Sequence, residues 1–345
     1  MPQTLRLLIR AVGGIIGFYF VLWLIASVWV GGRVDTIDTV RSLNDIYKSD
    51  AREFVYRLPA FCEQAKHQRN LIFVGGSTAY AYDPAVIGPY VKGWAVSRIG
   101  LDFANITQMR QTVDMIRACM DSETFARSRF VLGVSYPSMA KNSNRFPTPY
   151  TMLELEQQRH GLFTGKPGAL RPTVPWKDMR WTIIAARPVI LAHYVVTGVS
   201  DFFGAARLRL GKFRQGAGHV EDSQAHREAN ELRFNDALIG AAPAPAFEEQ
   251  GRDFAALVNE IRAGGSDVAV ISVPEQTFVR QRQKFIGAYY AWLGAFATAH
   301  KLTLLHHPYT DADFRDGVHA NAAGTARWSA AIAPAVVATL PPAGR

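Results

Sequence analysis

Two stretches far apart in the chain carry residue types suited to nucleophilic chemistry. The first reads Val74-Gly75-Gly76-Ser77-Thr78. The second, near the end, reads Asp316-Gly317-Val318-His319-Ala320-Asn321-Ala322-Ala323-Gly324. A serine hydroxyl is a poor nucleophile until a base takes its proton, and an imidazole is suited to that near neutral pH. The imidazole needs a partner on its other nitrogen to fix its tautomer and orientation. Asp316, three residues before His319 across a glycine-containing turn, can supply that partner. Each stretch also has a plainer reading. Ser77 suits a helix N-cap, and a D-x-x-H loop can simply be solvated, with Asn321 capping a helix over 322–338. Only the conjunction is specific.

The elements around these stretches decide whether they can meet. Leu71-Ile72-Phe73-Val74 is the first strand candidate, followed by 94–99, 130–134, 268–273 and 302–305. Each is short, apolar and bounded by Gly, Pro or Ser, as buried parallel strands are. Helical patterns lie between them. Asn105 with Gln108 makes a variant capping box ahead of Met109, Val113, Ile116 and Met120. Phe254, Leu257, Val258 and Ile261 form a second face, stopped by Gly264-Gly265. Phe285, Tyr289, Trp292 and Phe296 form a third. This alternation predicts an α/β fold, a three-layer sandwich with a five-stranded, mostly parallel sheet of flavodoxin-like type. Ligands of open α/β sheets collect beyond the carboxyl ends of the strands, so a serine on the turn after the first strand is well placed.

Residues 141–245 are too long for one crossover helix and hold Pro147, Pro149, Pro172, Pro175 and Pro188. They read as an insertion over the sheet edge or the mouth of the site. The basic run Arg207, Arg209, Lys212 and Arg214 is a solvated face or a contact for anionic headgroups or a polyanion. The apolar run 188–199, with His193, is too short to span a bilayer. It is expected to pack on the sheet, with membrane-surface contact as the alternative.

The 345 residues are 48% hydrophobic and 19% charged, which excludes a disordered chain. The formal charge of +9 suits either nucleic acid or an anionic membrane surface. Residues 11–30, AVGGIIGFYFVLWLIASVWV, decide for the membrane. They carry no charge and no proline and match a hydrocarbon core of about 30 Å. The run is longer than a signal-peptide core and lacks a small-residue cleavage site, which favours an uncleaved anchor. Arg6 and Arg10 before it set the N-terminus in the cytoplasm. The chain then divides into a cytoplasmic N-terminus (1–10), a transmembrane anchor (11–30), a helical connector (31–69) bearing Ile37, Val40, Leu43 and Ile46, and an α/β domain (70–340). That domain faces the periplasmic or extracytoplasmic side of the cytoplasmic (inner) membrane, where nucleic acid is not an expected partner. Cys62 and Cys119 lie on helices flanking the first strands and are either a disulfide or buried thiols. His306 and His307, with Asp311 and Asp313, have no regular ligand spacing and read as one buried and one exposed imidazole rather than a metal site.

A strand–Gly-x-Ser turn opening the domain, with a D-x-x-H loop before its last helix, resembles the SGNH (GDSL-like) hydrolase superfamily over roughly residues 70–140 and 265–340. The resemblance implies Ser77 as nucleophile, with Asp316 and His319 completing the catalytic set. It implies an oxyanion hole from the Ser77 backbone, the Gly100 backbone N–H and a third donor. The family draws that donor from the asparagine of a G-x-N-D motif. Here the third strand ends in Gly133-Val134-Ser135-Tyr136, so Ser135 stands at that position, with Asn142 and Asn144 as alternatives in the following loop. Gly75-Gly76-Ser77 replaces the usual Gly-Asp-Ser. The anchor, the altered first block and the D-G-x-H loop together look most like anchored envelope O-acyltransferases, of the alginate-acetylation and teichoic-acid D-alanyl-transfer type. That implies an acyl group, acetyl first, moved on an envelope polysaccharide beside a multi-spanning membrane acyltransferase. No cofactor and no metal is implied. The rival expectations are an esterase that only hydrolyses and a non-catalytic protein of the same fold that binds glycan or serves assembly.

Overall fold

Strands covered by helices on both sides must be apolar in both directions, and the sheet is built that way. The computed structural model describes residues 3–34, 58, 61–101, 104–141, 163–164, 171–189, 192 and 224–341. Its main sheet has strands β1 (Arg69–Gly76), β2 (Trp94–Leu101), β3 (Arg129–Val134), β4 (Asp267–Ser272) and β5 (Thr303–Leu305). They lie in the order β2-β1-β3-β4-β5, and every ladder is parallel. This is the flavodoxin-like order, in which the chain changes direction across the sheet between β1 and β3. The expected α/β sandwich is present, with strand ends moved by a residue or two. Alternate residues of each strand face opposite layers. Leu71, Phe73, Val131 and Ile271 pack against Trp328, Ile332 and Val336. These belong to the last helix, Ala322–Thr339. Ile72, Val74, Leu132 and Val270 face Met109, Val113, Phe254, Leu257 and Leu293. Those come from helices Ile106–Cys119, Pro243–Ala263 and Ile286–Ala299 on the other side.

The local signals act where the sequence put them. Asn105 and Gln108 form a complete capping box at the start of Ile106–Cys119. Asn321 caps the last helix by accepting the Gly324 N–H at 2.9 Å. Gly265 follows Pro243–Ala263 with φ +79°, the left-handed conformation in which a Cβ is costly. The N-terminal helix α1 runs Gln3–Val34, and its stretch Gln3–Val28 is long and apolar enough to cross a membrane.

The insertion after β3 supplies a two-residue antiparallel ladder (Phe163–Thr164 with Arg171–Pro172). It also supplies helix α2 (Trp176–Ala185) and helix α3 (Gln224–Ile239). The connector residues Ile37, Val40, Leu43 and Ile46, together with Asn142, Asn144, His193 and the run Arg207 to Arg214, lie outside the described residues. His307 is buried, with its imidazole 3.0 Å from the Tyr82 hydroxyl and 5.1 Å from the Trp328 ring, whereas His306 is exposed.

Cys62 and Cys119 form a disulfide with Cα atoms 6.0 Å apart, which decides between the two readings of this pair. It ties the helical turn before β1 to the end of Ile106–Cys119 across a sequence separation of 57. Cross-linking across a loop of that size removes denatured-state entropy worth roughly 4 kcal/mol in the chain-entropy view. Reduction, or Cys62→Ala with Cys119→Ala, is therefore expected to lower unfolding stability by about 2–4 kcal/mol. Denaturant midpoints with and without reductant check this.

Candidate active site

The turn that carries Ser77 can exist only because three strands carry a glycine at the next-to-last position. Gly75 of β1 is in register with Gly100 of β2 and Gly133 of β3, a row across the sheet. The 3₁₀ turn Ser77–Ala81 folds back over this row. A Cβ on Gly75 would collide with the Ala79 methyl, one on Gly133 would come within 2.7 Å of it, and one on Gly100 would strike the Tyr80 ring. The buried Arg98 guanidinium on β2 then donates to the carbonyls of Tyr80 and Tyr82 and pins the turn from below. Gly76 takes the cap position of this turn, so Ser77 is not its N-cap and the hydroxyl is free to point elsewhere.

It points to His319. Ser77 Oγ lies 2.8 Å from His319 Nε2. His319 Nδ1 lies 3.0 Å from both carboxylate oxygens of Asp316. Asp316 also accepts the backbone N–H groups of His319 at 2.7 Å and Val318 at 3.1 Å. Burial works to raise the Asp316 carboxyl, but these bonds, led by that from His319, outweigh it and hold the group at about 2. The carboxylate is thus charged at any working pH and fixes Nδ1 as the protonated nitrogen, leaving Nε2 to accept from Ser77.

The loop presenting Asp316 and His319 is braced on every side. Gln276 N–H donates to Gly317 O at 2.8 Å, and Arg315 N–H to His319 O at 2.8 Å. Glu231 on α3 accepts the Gly317 N–H at 3.0 Å. Glu231 was not singled out from the sequence, because it sits in the insertion 86 positions from its partner with no motif around it. Burial raises its carboxyl above the ordinary range, opposed by that N–H.

These residues open on one cavity of about 420 Å³. Its walls include Ser77, His319, Ser135 and Glu231, and its apolar side is built by Ala104, Phe234, Leu238 and Val318. Ser135 is 1% exposed, and its hydroxyl lies 3.0 Å from Thr78 Oγ1 and 3.3 Å from Ser138 Oγ. Gly100 is not brought to this cavity. It is an interior residue of β2 beneath Tyr80, whose hydroxyl donates to the Gly100 carbonyl at 3.2 Å. The segment after β2 reaches the cavity at Ala104 instead, whose backbone O and N would lie 2.9 and 3.8 Å from a Cβ on Gly76. The sequence shift arose because β2 runs on through Leu101 rather than ending at Ile99.

Two solved structures are similar to this chain. One is a GDSL-like lipase from Bacteroides thetaiotaomicron VPI-5482, at 13% identity and TM-score 0.40, covering 86% of this chain and 100% of that one. The other is a proposed acylhydrolase from Bacteroides fragilis NCTC 9343, at 12% identity and TM-score 0.38, covering 81% and 96%. No protein-family model and no curated protein matches the chain. Overlap at this level carries no argument about chemistry, which rests on the distances above.

Behind Ser135 lies a second buried carboxylate. Glu275, fully buried, accepts the Tyr136 N–H at 2.9 Å and the Tyr290 hydroxyl. Burial pushes it up to about 7 from 4.5, against the pull of those donors and of Arg280. The folded state therefore holds this proton more tightly than the unfolded chain, so stability falls as pH rises from about 4.5 to 7 and is level above. Glu275→Gln, which still accepts from Tyr136, should gain on the order of 1–3 kcal/mol over the parent at pH 8, the gain vanishing by pH 4.5. Urea midpoints across that range measure it. A second expectation concerns Glu231. A hydrogen bond to a charged group is worth about 1.5–3 kcal/mol. Glu231→Ala should therefore speed hydrogen exchange at the Gly317 amide by tenfold or more, whereas Glu231→Gln should largely spare it.

Proposed function

We propose that this chain is a membrane-anchored serine acyl-ester enzyme that moves an acyl group on or off a hydroxyl of an envelope polysaccharide through an acyl-serine. The observation that carries the reading is the unbroken chain Ser77 Oγ–His319 Nε2 at 2.8 Å and His319 Nδ1–Asp316 at 3.0 Å, opening on one cavity. In the first half-reaction Ser77 Oγ attacks the ester carbonyl as His319 Nε2 takes its proton. The tetrahedral intermediate collapses, and the leaving alcohol receives that proton from His319. In the second, an acceptor hydroxyl gives its proton to His319 and attacks the acyl-serine, freeing Ser77. Water as acceptor makes the reaction hydrolysis, and a sugar hydroxyl makes it transfer. Asp316 keeps its charge throughout and stabilises the imidazolium.

The developing oxyanion is met by the Ser77 backbone N–H and the Ser135 hydroxyl, with the Ala104 N–H in the role expected of Gly100. Donors aimed where negative charge grows together supply what is usually the largest single part of such catalysis. Acetyl is the acyl group implied by the resemblance to anchored envelope O-acyltransferases, and a multi-spanning membrane acyltransferase is the partner implied with it. An extracytoplasmic setting on the cytoplasmic membrane is supported by the apolar span Gln3–Val28 and by the disulfide, since disulfides persist in oxidising compartments.

The test is kinetic and chemical together. Ser77→Ala, His319→Ala and Asp316→Ala should each cost several orders of magnitude in kcat on an acetyl ester, with strongly non-additive double variants. Acyl-serine trapped on the peptide bearing Ser77 should appear by mass spectrometry in the parent and vanish in Ser77→Ala. Ser135→Ala should lower kcat about 10²–10³-fold with little change in KM, since that bond strengthens as charge develops. Full activity in Ser77→Ala would remove the reading. Added oligosaccharide acceptors then separate transfer from hydrolysis.

A further inference from the structure

The insertion touches the N-terminal helix through polar contacts that have no use in water. The last carbonyls of any helix have no partner within it. At the end of α2 (Trp176–Ala185) those carbonyls are met by side chains of α1. Trp23 Nε1–H donates to Ile184 O at 2.8 Å and the Tyr19 hydroxyl to Ala185 O at 2.8 Å. One turn further along α1, Ser27 Oγ accepts from Arg187 at 2.8 Å, and the Arg187 guanidinium lies 5.6 Å from the Trp23 ring centre. Tyr19, Trp23 and Ser27 are four residues apart, so they form one stripe along α1. The rest of that length of α1 exposes Val21, Leu24, Ile25 and Val28.

The depth of this contact follows from the helix rise. Val28 ends the apolar span, and at about 1.5 Å per residue Trp23 and Tyr19 lie roughly 7 and 13 Å back from it. With residues 11–30 in a hydrocarbon core of about 30 Å, the end of α2 therefore lies from the outer half, at Trp23, down to about the middle of the core, at Tyr19. Water is scarce there, and backbone carbonyls must be satisfied by protein, which is what Trp23 and Tyr19 do. The outward face of α2 fits the same surroundings. Met179 and Ile183 are buried, while Trp181 between them points away and is 69% exposed. Val189, after the helix, is exposed as well. Tryptophan with one side apolar and one polar group is favoured at the membrane–water interface.

We propose that α2 and the residues after it, through Val189, form a second membrane contact: a helix whose end docks on the anchor within the bilayer, with Trp181 and Val189 in lipid. This rests on the reading of α1 as an anchor. At Pro188 and Val189 it favours membrane contact, the alternative reading of the run 188–199, over packing on the sheet. It also gives the insertion, which carries the cavity wall on α3, a second tie to the membrane surface beyond the anchor itself.

Brominated lipids test it on the full-length protein in phosphatidylcholine vesicles. Bromine on the acyl chain quenches tryptophan that lies in the bilayer, and the chain has 7 tryptophans, so each is read by difference. Vesicle flotation first establishes that the protein is anchored. In floated protein, Trp181→Phe should remove part of the bromine-dependent loss of emission. That part should be larger for bromine near the headgroup end of the chain than near its tip. Tyr19→Phe, which removes one donor to α2 without touching a tryptophan, should reduce the quenching of Trp181. Floated protein in which Trp181→Phe leaves the quenching unchanged would overturn the proposal while sparing the anchor. Protein that does not float would overturn both.

Discussion

A tight turn cannot lie on the end of a parallel sheet unless the strands beneath it lack side chains. Gly100, Gly75 and Gly133 meet that condition in a row across β2, β1 and β3, and Ala79 and Tyr80 occupy the space. Everything else in the site depends on this contact. It brings the chain sharply back after β1, leaves Gly76 in the cap position and turns Ser77 Oγ toward His319. The cavity is lined by Gly76, Ser77 and Thr78 from the end of β1 and by Ser135 from the end of β3, the side of the sheet where this strand order directs ligands. A methyl group at Gly75 or Gly133 would displace the turn, and with it the serine.

Charge in the site is set by how many hydrogen-bond donors each buried or half-buried carboxyl faces. Asp316 faces four donors, the His319 imidazole N–H shared by both oxygens, the backbone N–H groups of His319 and Val318, and Arg315 Nε at 3.4 Å, and stays ionised. Glu231 and Glu275 have fewer donors for their burial and are pushed up instead. The three carboxylates hold different parts of the same structure. Asp316 orients the imidazole, Glu231 ties the loop to the insertion, and Glu275 sits under the turn that carries Ser135. The insertion is thus part of the site's frame, since α3 supplies Glu231, Phe234 and Leu238 to the cavity.

The disulfide acts at the opposite end of β1 from Ser77. The disulfide holds the entry to β1, and α1 meets the insertion through Tyr19, Trp23 and Ser27.

The sequence by itself determined the strands, the capping box at Asn105 and the cap at Asn321, the apolar span and the three residues Ser77, Asp316 and His319. Each of these rests on short-range physics: hydrophobic runs of strand length, side-chain to backbone bonds within four residues, and a Gly-rich turn. Asp316 and His319 are legible for the same reason, being three residues apart on one turn. What only the tertiary structure decided are the contacts between distant segments. Gly100 reads as a loop residue beyond β2 until the ladder with β1 carries that strand through Leu101, and Ala104 then takes its place beside the cavity. The pairing of Cys62 with Cys119 depends on where two helices end in space, which spacing along the chain does not encode. Glu231 lies in a stretch of ordinary helical composition, and the end of α2 meets α1 across more than 160 positions. Such contacts are set by how whole layers pack, and no local pattern in the chain carries that information.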